Sequence, residues 1–511
     1  MGSPFSIGPD TELGPAPWSR IQRVGAGTFA LALLASLPLL VHPWWDVRND
    51  SAMYVATARS LAAGEGYRYL GEPFTVRPPG FALLLAPFVG SESAFRHLNA
   101  LVSLFGAAGV FMLFLFQRTR LPWPLALGVS ACVWLNPGYQ RLCNQVMSDV
   151  PAATLLLGCL LIHRWSERAP SLRRELALGA AIGLAAYVRV TLVLLVPAIW
   201  AARILRRALG RRGPALRAFA PRRLCLLAAV AFLVQAPWIL RDAAVQPSGA
   251  VDQTRWYAHW TGLLHEDEGD PESRRLGPGE ILQRVPAQSA AIAEGLGSRL
   301  HVPKRELSAR VAGAALIAGL VVVLIRRRAA AEFYAAALLC VVAVYADYQD
   351  RLVLPVYLLA LPASVDTLLA LARRVLPRPA AAATIGAALV LLIAADVSPR
   401  RGWDAIERRH RHWVAIAAEL QAALPPGAVL ATAKGFHLTV YLERPVYSLL
   451  FAVWRVGDPE VVEELIERYG IDTVILTPGL RDDAPLVPYF LSRYGEPRRI
   501  GPCLLFSVRT R

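Results

Sequence analysis

Asp46 and Asp50 stand four residues apart in the segment Trp44-Trp45-Asp46-Val47-Arg48-Asn49-Asp50-Ser51-Ala52-Met53-Tyr54, directly after an apolar run from Gly25 to His42. A run of that length is a membrane-span candidate, and tryptophans favour headgroup depth, so the two carboxylates are expected at a bilayer surface. Acidic groups anchor poorly there. The chemistry open to them is to take a proton from a hydroxyl, with burial tuning the pKa, or to pair with a distant cation. Asp50 also has a plainer use, as the N-cap of a helix running through Tyr54 and Ala58.

Three further positions invite the same question. Asp149, in Met147-Ser148-Asp149-Val150-Pro151, precedes an apolar run, where Asp and Pro suit a helix N-terminus regardless of function. Arg189 lies inside the apolar stretch 175–203, where a cation is costly unless it meets an anion. That anion is either a structural partner, Asp50 or Asp149, or a substrate phosphate gripped by the guanidinium. Arg351, in Tyr348-Gln349-Asp350-Arg351-Leu352, and Arg96, at the start of a span, are candidates of the same kind. Both could equally snorkel to the interface.

The elements that must position these residues follow from composition. The chain has 511 residues, 55% of them hydrophobic, and apolar runs alternate with arginine clusters. Mean hydropathy is +0.40. A soluble domain of that character would expose aggregating patches, so a polytopic membrane protein is expected. The net charge of +16 then needs no nucleic acid, because arginine-bearing connectors are what cytosolic flanks carry. Expected spans are 25–42, 96–116, 122–139, 151–163, 175–188, 190–203, 222–240, 309–325, 331–346, 353–371 and 380–396, eleven in all. Arginines flank 175–203 on both sides. Both ends are therefore cytosolic, so either two short helices turn near Tyr187–Thr191 with Arg189 at the far end, or a single reentrant helix carries Arg189 deep into the membrane.

Counting through, residues 1–24 form a cytosolic tail and 25–396 the membrane domain. Loops 43–95 and 241–308 face outward, and so does everything from 397 to 511. All the chemistry-bearing positions then share one face. Residues 397–511 alternate helical and β-branched stretches: a helix at Trp413–Ala423, a strand at Val429–Thr432, a helix at Pro459–Tyr469, and strands at Thr473–Thr477 and Leu504–Val508. That pattern predicts a small α/β domain. It carries no P-loop and no G-x-G-x-x-G, so nucleotide binding has no support.

The first-loop Asp50 with Tyr54 four residues on, the downstream Pro78-Pro79-Gly80, the Asp149 entry and the folded tail together resemble the GT-C superfamily of membrane glycosyltransferases. The likeness is to the protein O-mannosyltransferase and lipid A aminoarabinose transferase branch, and to the related rhizobial lipopolysaccharide glycosyltransferases. The resemblance implies an inverting sugar transfer from a polyprenyl-phosphate carrier to an extracytoplasmic lipid, glycan or protein. It implies Asp50 as catalytic base and Asp149 as the second acid. Arg189, Arg351, Arg96, Tyr54 and Asp46 are then candidate substrate contacts. The commoner Asp-Glu pair is Asp50-Ser51 here, which leaves a divalent metal an open question. The expected setting is the inner (plasma) membrane. The rival class is a transporter or lipid flippase, which calls for ionisable residues at the bilayer midplane and paired repeats with Gly/Pro-broken helices. Neither is visible in the sequence.

Overall fold

The computed structural model describes residues 18–46, 48–90, 94–209, 221–245, 259–266, 273–300, 306–346, 348–394, 402–433, 436–449, 459–479 and 483–508. Most of the 1–24 tail, and the junction at 397, lie outside the described residues. Each expected span coincides with a helix: Arg20–Leu40, Ala94–Gln117, Trp123–Trp134, Asp149–Arg168, Leu172–Ala186, Leu195–Ala208, Pro221–Ala244, Glu306–Arg327, Ala330–Val344, Leu354–Ala372 and Arg378–Ala394. Among the described residues, five helices are long and apolar enough to cross a membrane by themselves, those beginning at Arg20, Ala94, Pro221, Glu306 and Asp350. The helices at the other expected spans are shorter or end in charged turns, as Asp149–Arg168 does. Large apolar side chains such as Leu31, Leu233, Val311 and Leu391 are mostly exposed, as lipid-facing surface requires.

The helices pack closely where residues are small. A Cβ added at Gly179 or Gly183 would meet the backbone oxygens of Leu227 and Ala231 at 2.8 Å. The four-residue spacing of these glycines therefore lets Leu172–Ala186 and Pro221–Ala244 touch backbone to backbone. Charges sort to the two ends of the bundle. At the end carrying the arginine connectors, Arg203 grips Glu175 through two hydrogen bonds of 3.1 and 2.9 Å, both side chains fully buried. Arg120 pairs with Glu332 and Arg327 with Asp366. Breaking such a buried pair from one side costs roughly 3–5 kcal/mol, so these contacts fix the helix ends.

At the opposite end the chain leaves the Arg20–Leu40 helix, and buried amides from two other elements pair with the Leu40 carbonyl and with the backbone groups that follow it. Asn144 Nδ2 donates to the Leu40 carbonyl (2.8 Å), and the His42 N–H donates to Asn144 Oδ1 (3.1 Å). Asn99 Nδ2 donates to the carbonyls of His42 and Trp44, each at 2.9 Å. Leaving such groups bare in the interior would cost about 1–3 kcal/mol apiece. The segment carrying Asp46 is thus held in place by the membrane helices themselves. The loop 43–95 then forms the Asn49–Ala62 helix, a two-stranded ribbon of β1 (Arg68–Tyr69) and β2 (Glu72–Pro73), and the short Gly80–Leu85 helix. The expected loop 241–308 contains a helix, Val285–Gly297, that lies against Glu306–Arg327. Alanine- and glycine-rich, it gave no strong helical periodicity.

The tail folds around a mixed sheet of β3 (Leu430–Thr432), β4 (Val446–Ser448), β5 (Thr473–Leu476), β6 (Arg498–Ile500) and β7 (Cys503–Ser507), in the order β4-β3-β5-β7-β6. β3 runs parallel to β4 and β5, whereas β7 runs antiparallel to β5 and β6. Alternate residues serve opposite faces. Ile475 and Leu505 meet Trp413, Ile416 and Leu420 of the Trp403–Ala423 helix. Val474, Leu476, Leu504 and Phe506 meet Leu465 and Phe490 on the other side. β4 and β6 escape the sequence pattern because three residues carry too little alternation, and the outward Arg498-Arg499 of β6 mask it further.

Candidate active site

Asp50 sits in the first turn of the Asn49–Ala62 helix, whose N-cap is Arg48. The carboxylate is therefore not the cap. Its oxygens are divided between two guanidiniums: Arg77 Nη2 donates to Oδ1 at 3.1 Å, and Arg351 Nη2 to Oδ2 at 2.6 Å. Burial alone would raise its pKa, but Arg77 and Arg351 outweigh that and hold Asp50 well below the usual carboxylate range. Ser51 is fully buried. It accepts from the Trp45 indole at 2.9 Å and donates to the Arg48 carbonyl at 2.7 Å, so it braces the loop.

Asp149 begins the Asp149–Arg168 helix and is almost fully buried. Arg189 Nη1 lies 2.9 Å from its Oδ1, and Arg351 Nη1 lies 4.0 Å from its Oδ2. Arg351 therefore faces both acids. It springs from a single 3-10 turn, Asp350–Val353, and is steadied by Gln349, whose Oε1 accepts from Nε at 2.7 Å. Arg189 occupies the expected turn, between the Leu172–Ala186 helix and the 3-10 turn Val190–Leu194, and also donates to Ser148 Oγ at 3.3 Å. Tyr54, one turn beyond Asp50, shares a 3.1 Å hydrogen bond with the same Ser148 hydroxyl and sets its ring edge-on to Phe81.

Arg77 is the residue that sequence reasoning missed. It precedes Pro78-Pro79-Gly80, and Gly80 is what brings it in. The Gly80 N–H donates to the Tyr187 carbonyl at 2.9 Å, and a Cβ there would stand 2.6 Å from that oxygen. Only glycine lets the first loop dock this closely on the turn that presents Arg189. The available signal was charge: arginines in a loop counted as extracytoplasmic run against the positive-inside bias. Arg96, by contrast, is exposed at the start of Ala94–Gln117. Helix phase turns it outward, and it is not among the arginines that converge here. Asp46 belongs to a neighbouring cluster, held by Gln145 Nε2 at 2.6 Å.

The centre is thus two buried carboxylates clasped by three arginines, leaving one positive charge over. It lies where helix termini meet at the end of the bundle opposite the Glu175–Arg203 pair.

No protein-family model and no curated relative matches the chain. Solved structures do. ArnT from Cupriavidus metallidurans bound to undecaprenyl phosphate superposes with a TM-score of 0.60 at 14% identity, covering 95% of this chain and 98% of that one. The fold is the GT-C fold. The same GT-C arrangement relates the chain to the Archaeoglobus fulgidus oligosaccharyltransferase AglB in complex with an inhibitory peptide and a dolichol-phosphate, with a TM-score of 0.56, 12% identity, and coverage of 89% and 70%. The Archaeoglobus fulgidus oligosaccharyltransferase complex with Zn and sulfate matches with a TM-score of 0.53 at 14% identity, covering 88% and 67%.

The zinc of that GT-C neighbour raises the question of a metal here. Both Asp50 oxygens face guanidiniums, and Asp149 Oδ1 faces Arg189. Among the described residues no three of His, Cys, Asp and Glu gather as a ligand set. With both of its oxygens accepting from guanidiniums, Asp50 does not fit a divalent cation in this arrangement.

Proposed function

We propose that the chain is an inverting glycosyltransferase that moves a sugar from a polyprenyl-phosphate carrier to an acceptor hydroxyl on the outer face of the inner (plasma) membrane. The observation that carries this reading is the excess of one positive charge among Arg77, Arg189 and Arg351 over Asp50 and Asp149. A lipid-linked phosphate sugar brings a compensating negative charge, and it brings it to the membrane boundary. The GT-C neighbours with bound undecaprenyl phosphate and dolichol-phosphate support the same donor class.

In the proposed reaction the acceptor oxygen attacks the anomeric carbon while the bond from that carbon to the phosphate oxygen breaks. The electron pair leaves with the polyprenyl phosphate, and the hydroxyl proton passes to Asp50. As leaving-group charge develops, the arginines stabilise it from fixed positions. Asp149 orients Arg189 and faces Arg351. Asp50 paired with two arginines is a weak base. When Arg77 and Arg351 turn toward the donor phosphate, that restraint loosens and its basicity rises. Base strength is thereby tied to donor occupancy. Tyr54 lines the same space.

Reconstituted protein given a radiolabelled polyprenyl-phosphate sugar should release polyprenyl monophosphate and transfer the sugar with inversion. Release of a pyrophosphate-linked lipid, or retention of configuration, would overturn the proposal. Eleven crossings, an extracytoplasmic loop 43–95 and an extracytoplasmic 397–511 complete it.

A further inference from the structure

Beside the Asp50 centre lies a second gathering of arginines that the transfer chemistry does not use. Asp46 is 1% exposed, and three guanidiniums approach it from three elements: Arg141 at 3.4 Å, Arg48 at 3.7 Å and Arg409 at 3.9 Å. Arg48 caps the Asn49–Ala62 helix, Arg141 ends the short Pro137–Cys143 helix, and Arg409 comes from the Trp403–Ala423 helix of the tail. All three contacts are longer than the roughly 2.7–2.9 Å of a charge-assisted hydrogen bond. The arginine side chains remain 46%, 56% and 52% exposed. Meanwhile Asp46 Oδ1 is buried with no hydrogen-bond partner among the described residues. Arg141 donates to Asp46 Oδ2 from both Nε and Nη2 at 3.4 Å, Arg48 and Arg409 stand farther off, and about half of each arginine side chain stays exposed.

Like charges do not assemble without cause. Burial, against the pull of Asp46 and with the charges of Arg141, Arg351 and Arg409, draws Arg48 below the usual guanidinium range. Arg48 stands between Asp46 and Asp50 in the chain, so the two centres adjoin. One carboxylate against three guanidiniums leaves two positive charges, which suits a phosphomonoester carrying roughly −1.5 to −2. Guanidiniums arriving from three directions match a tetrahedral, multi-oxygen anion better than a planar carboxylate. The cluster also lies just past the end of the Arg20–Leu40 helix, beside the half-buried Trp44, at the depth where a membrane-held headgroup would sit.

We propose that Arg48, Arg141 and Arg409 bind a phosphomonoester on a membrane-held acceptor and dock its hydroxyl toward Asp50, with Asp46 as the positioning residue that keeps the three arginines together. This rests on reading the Asp50 centre as the transfer site. Because Arg409 belongs to the tail, the tail completes the acceptor site rather than merely covering it.

The test uses full-length protein in phosphatidylcholine nanodiscs saturated with undecaprenyl phosphate, titrated with dihexanoyl phosphatidic acid as a phosphomonoester lipid. Parallel titrations use dihexanoyl phosphatidylglycerol, inorganic phosphate and an acidic peptide. Wild type should bind the phosphatidic acid at least tenfold more tightly than the phosphodiester. R141Q/R409Q should lose at least tenfold while undecaprenyl phosphate binding stays within twofold. If R141Q/R409Q lowers the melting temperature, R48Q/R141Q, which leaves the tail's contact intact, carries the same expectation. Unchanged phosphatidic acid binding in these variants overturns the proposal. Inorganic phosphate or the acidic peptide binding as tightly as the lipid overturns the membrane-held acceptor. Failure of wild type to bind undecaprenyl phosphate overturns the donor reading instead, a separate outcome.

Discussion

Arg351 donates to Asp50 across 301 residues of sequence, Nη2 to Oδ2 at 2.6 Å, while its Nη1 stands 4.0 Å from Asp149. One side chain from a single 3-10 turn thereby ties the loop 43–95 to the start of a mid-chain helix. In the proposed transfer Asp50 is the base although so held, and the proposed donor phosphate is the competing anion that would loosen that hold.

Asp50→Asn keeps the shape and removes the basicity. Sugar transfer should fall by about 10²–10⁴-fold, the usual worth of a positioned general base. Arg77 and Arg351 lose their counter-ion, so binding of the product lipid phosphate should hold or tighten. Isothermal titration with undecaprenyl phosphate checks this. Full activity in the variant would remove Asp50 as base.

Arg77→Gln takes one cation from Asp50, whose pKa is held low against burial by Arg77 and Arg351. A carboxylate depressed in the folded state contributes stability that is present above its unfolded pKa and lost as pH falls through the folded one. The wild type should therefore hold this contribution into strongly acidic solution. In Arg77→Gln the acid limb of kcat/KM, and of thermal stability, should move upward by about 1–3 pH units. An unmoved limb would mean that Arg77 does not govern Asp50.

Arg189→Lys preserves charge but not the planar fork, and the pair with Asp149 (2.9 Å) tolerates an ammonium. Folding should survive, with KM for the lipid donor raised or kcat lowered about tenfold. Misfolding rescued by a compensating change at Asp149 would make the pair structural.

Gly80→Ala places a Cβ 2.6 Å from the Tyr187 carbonyl oxygen. The loop must lift off the Arg189 turn, at a cost of about 1–3 kcal/mol. Transfer should fall further than the melting temperature suggests, because Arg77 moves with the loop. Differential scanning fluorimetry beside a transfer assay separates the two.

A reporter active only outside the cytosol should score positive at the end of the chain and negative in the 209–221 connector. Equal signals at both points would break the proposed sidedness.

The amino-acid sequence alone determined the apolar segments, since each carries its own 3.6-residue burial pattern or span-length hydropathy, and helices answer to such local information. Parity of arginine connectors also sufficed to group Asp50, Asp149 and Arg189 at one end, because charge bias needs no knowledge of packing. Only the tertiary structure decided which cations meet which acids. Arg77 enters because Gly80 permits a backbone contact at Tyr187, and Arg96 leaves because helix phase turns it outward. Arg409 reaches Asp46 because the tail packs back on the first loop, where His410 lies edge-on to Phe95 and Arg59 donates to the Val440 carbonyl. Ion pairing depends on side-chain positions a few ångströms apart, set by helix rotation and loop docking between residues hundreds of positions distant, and no periodicity within a segment encodes that.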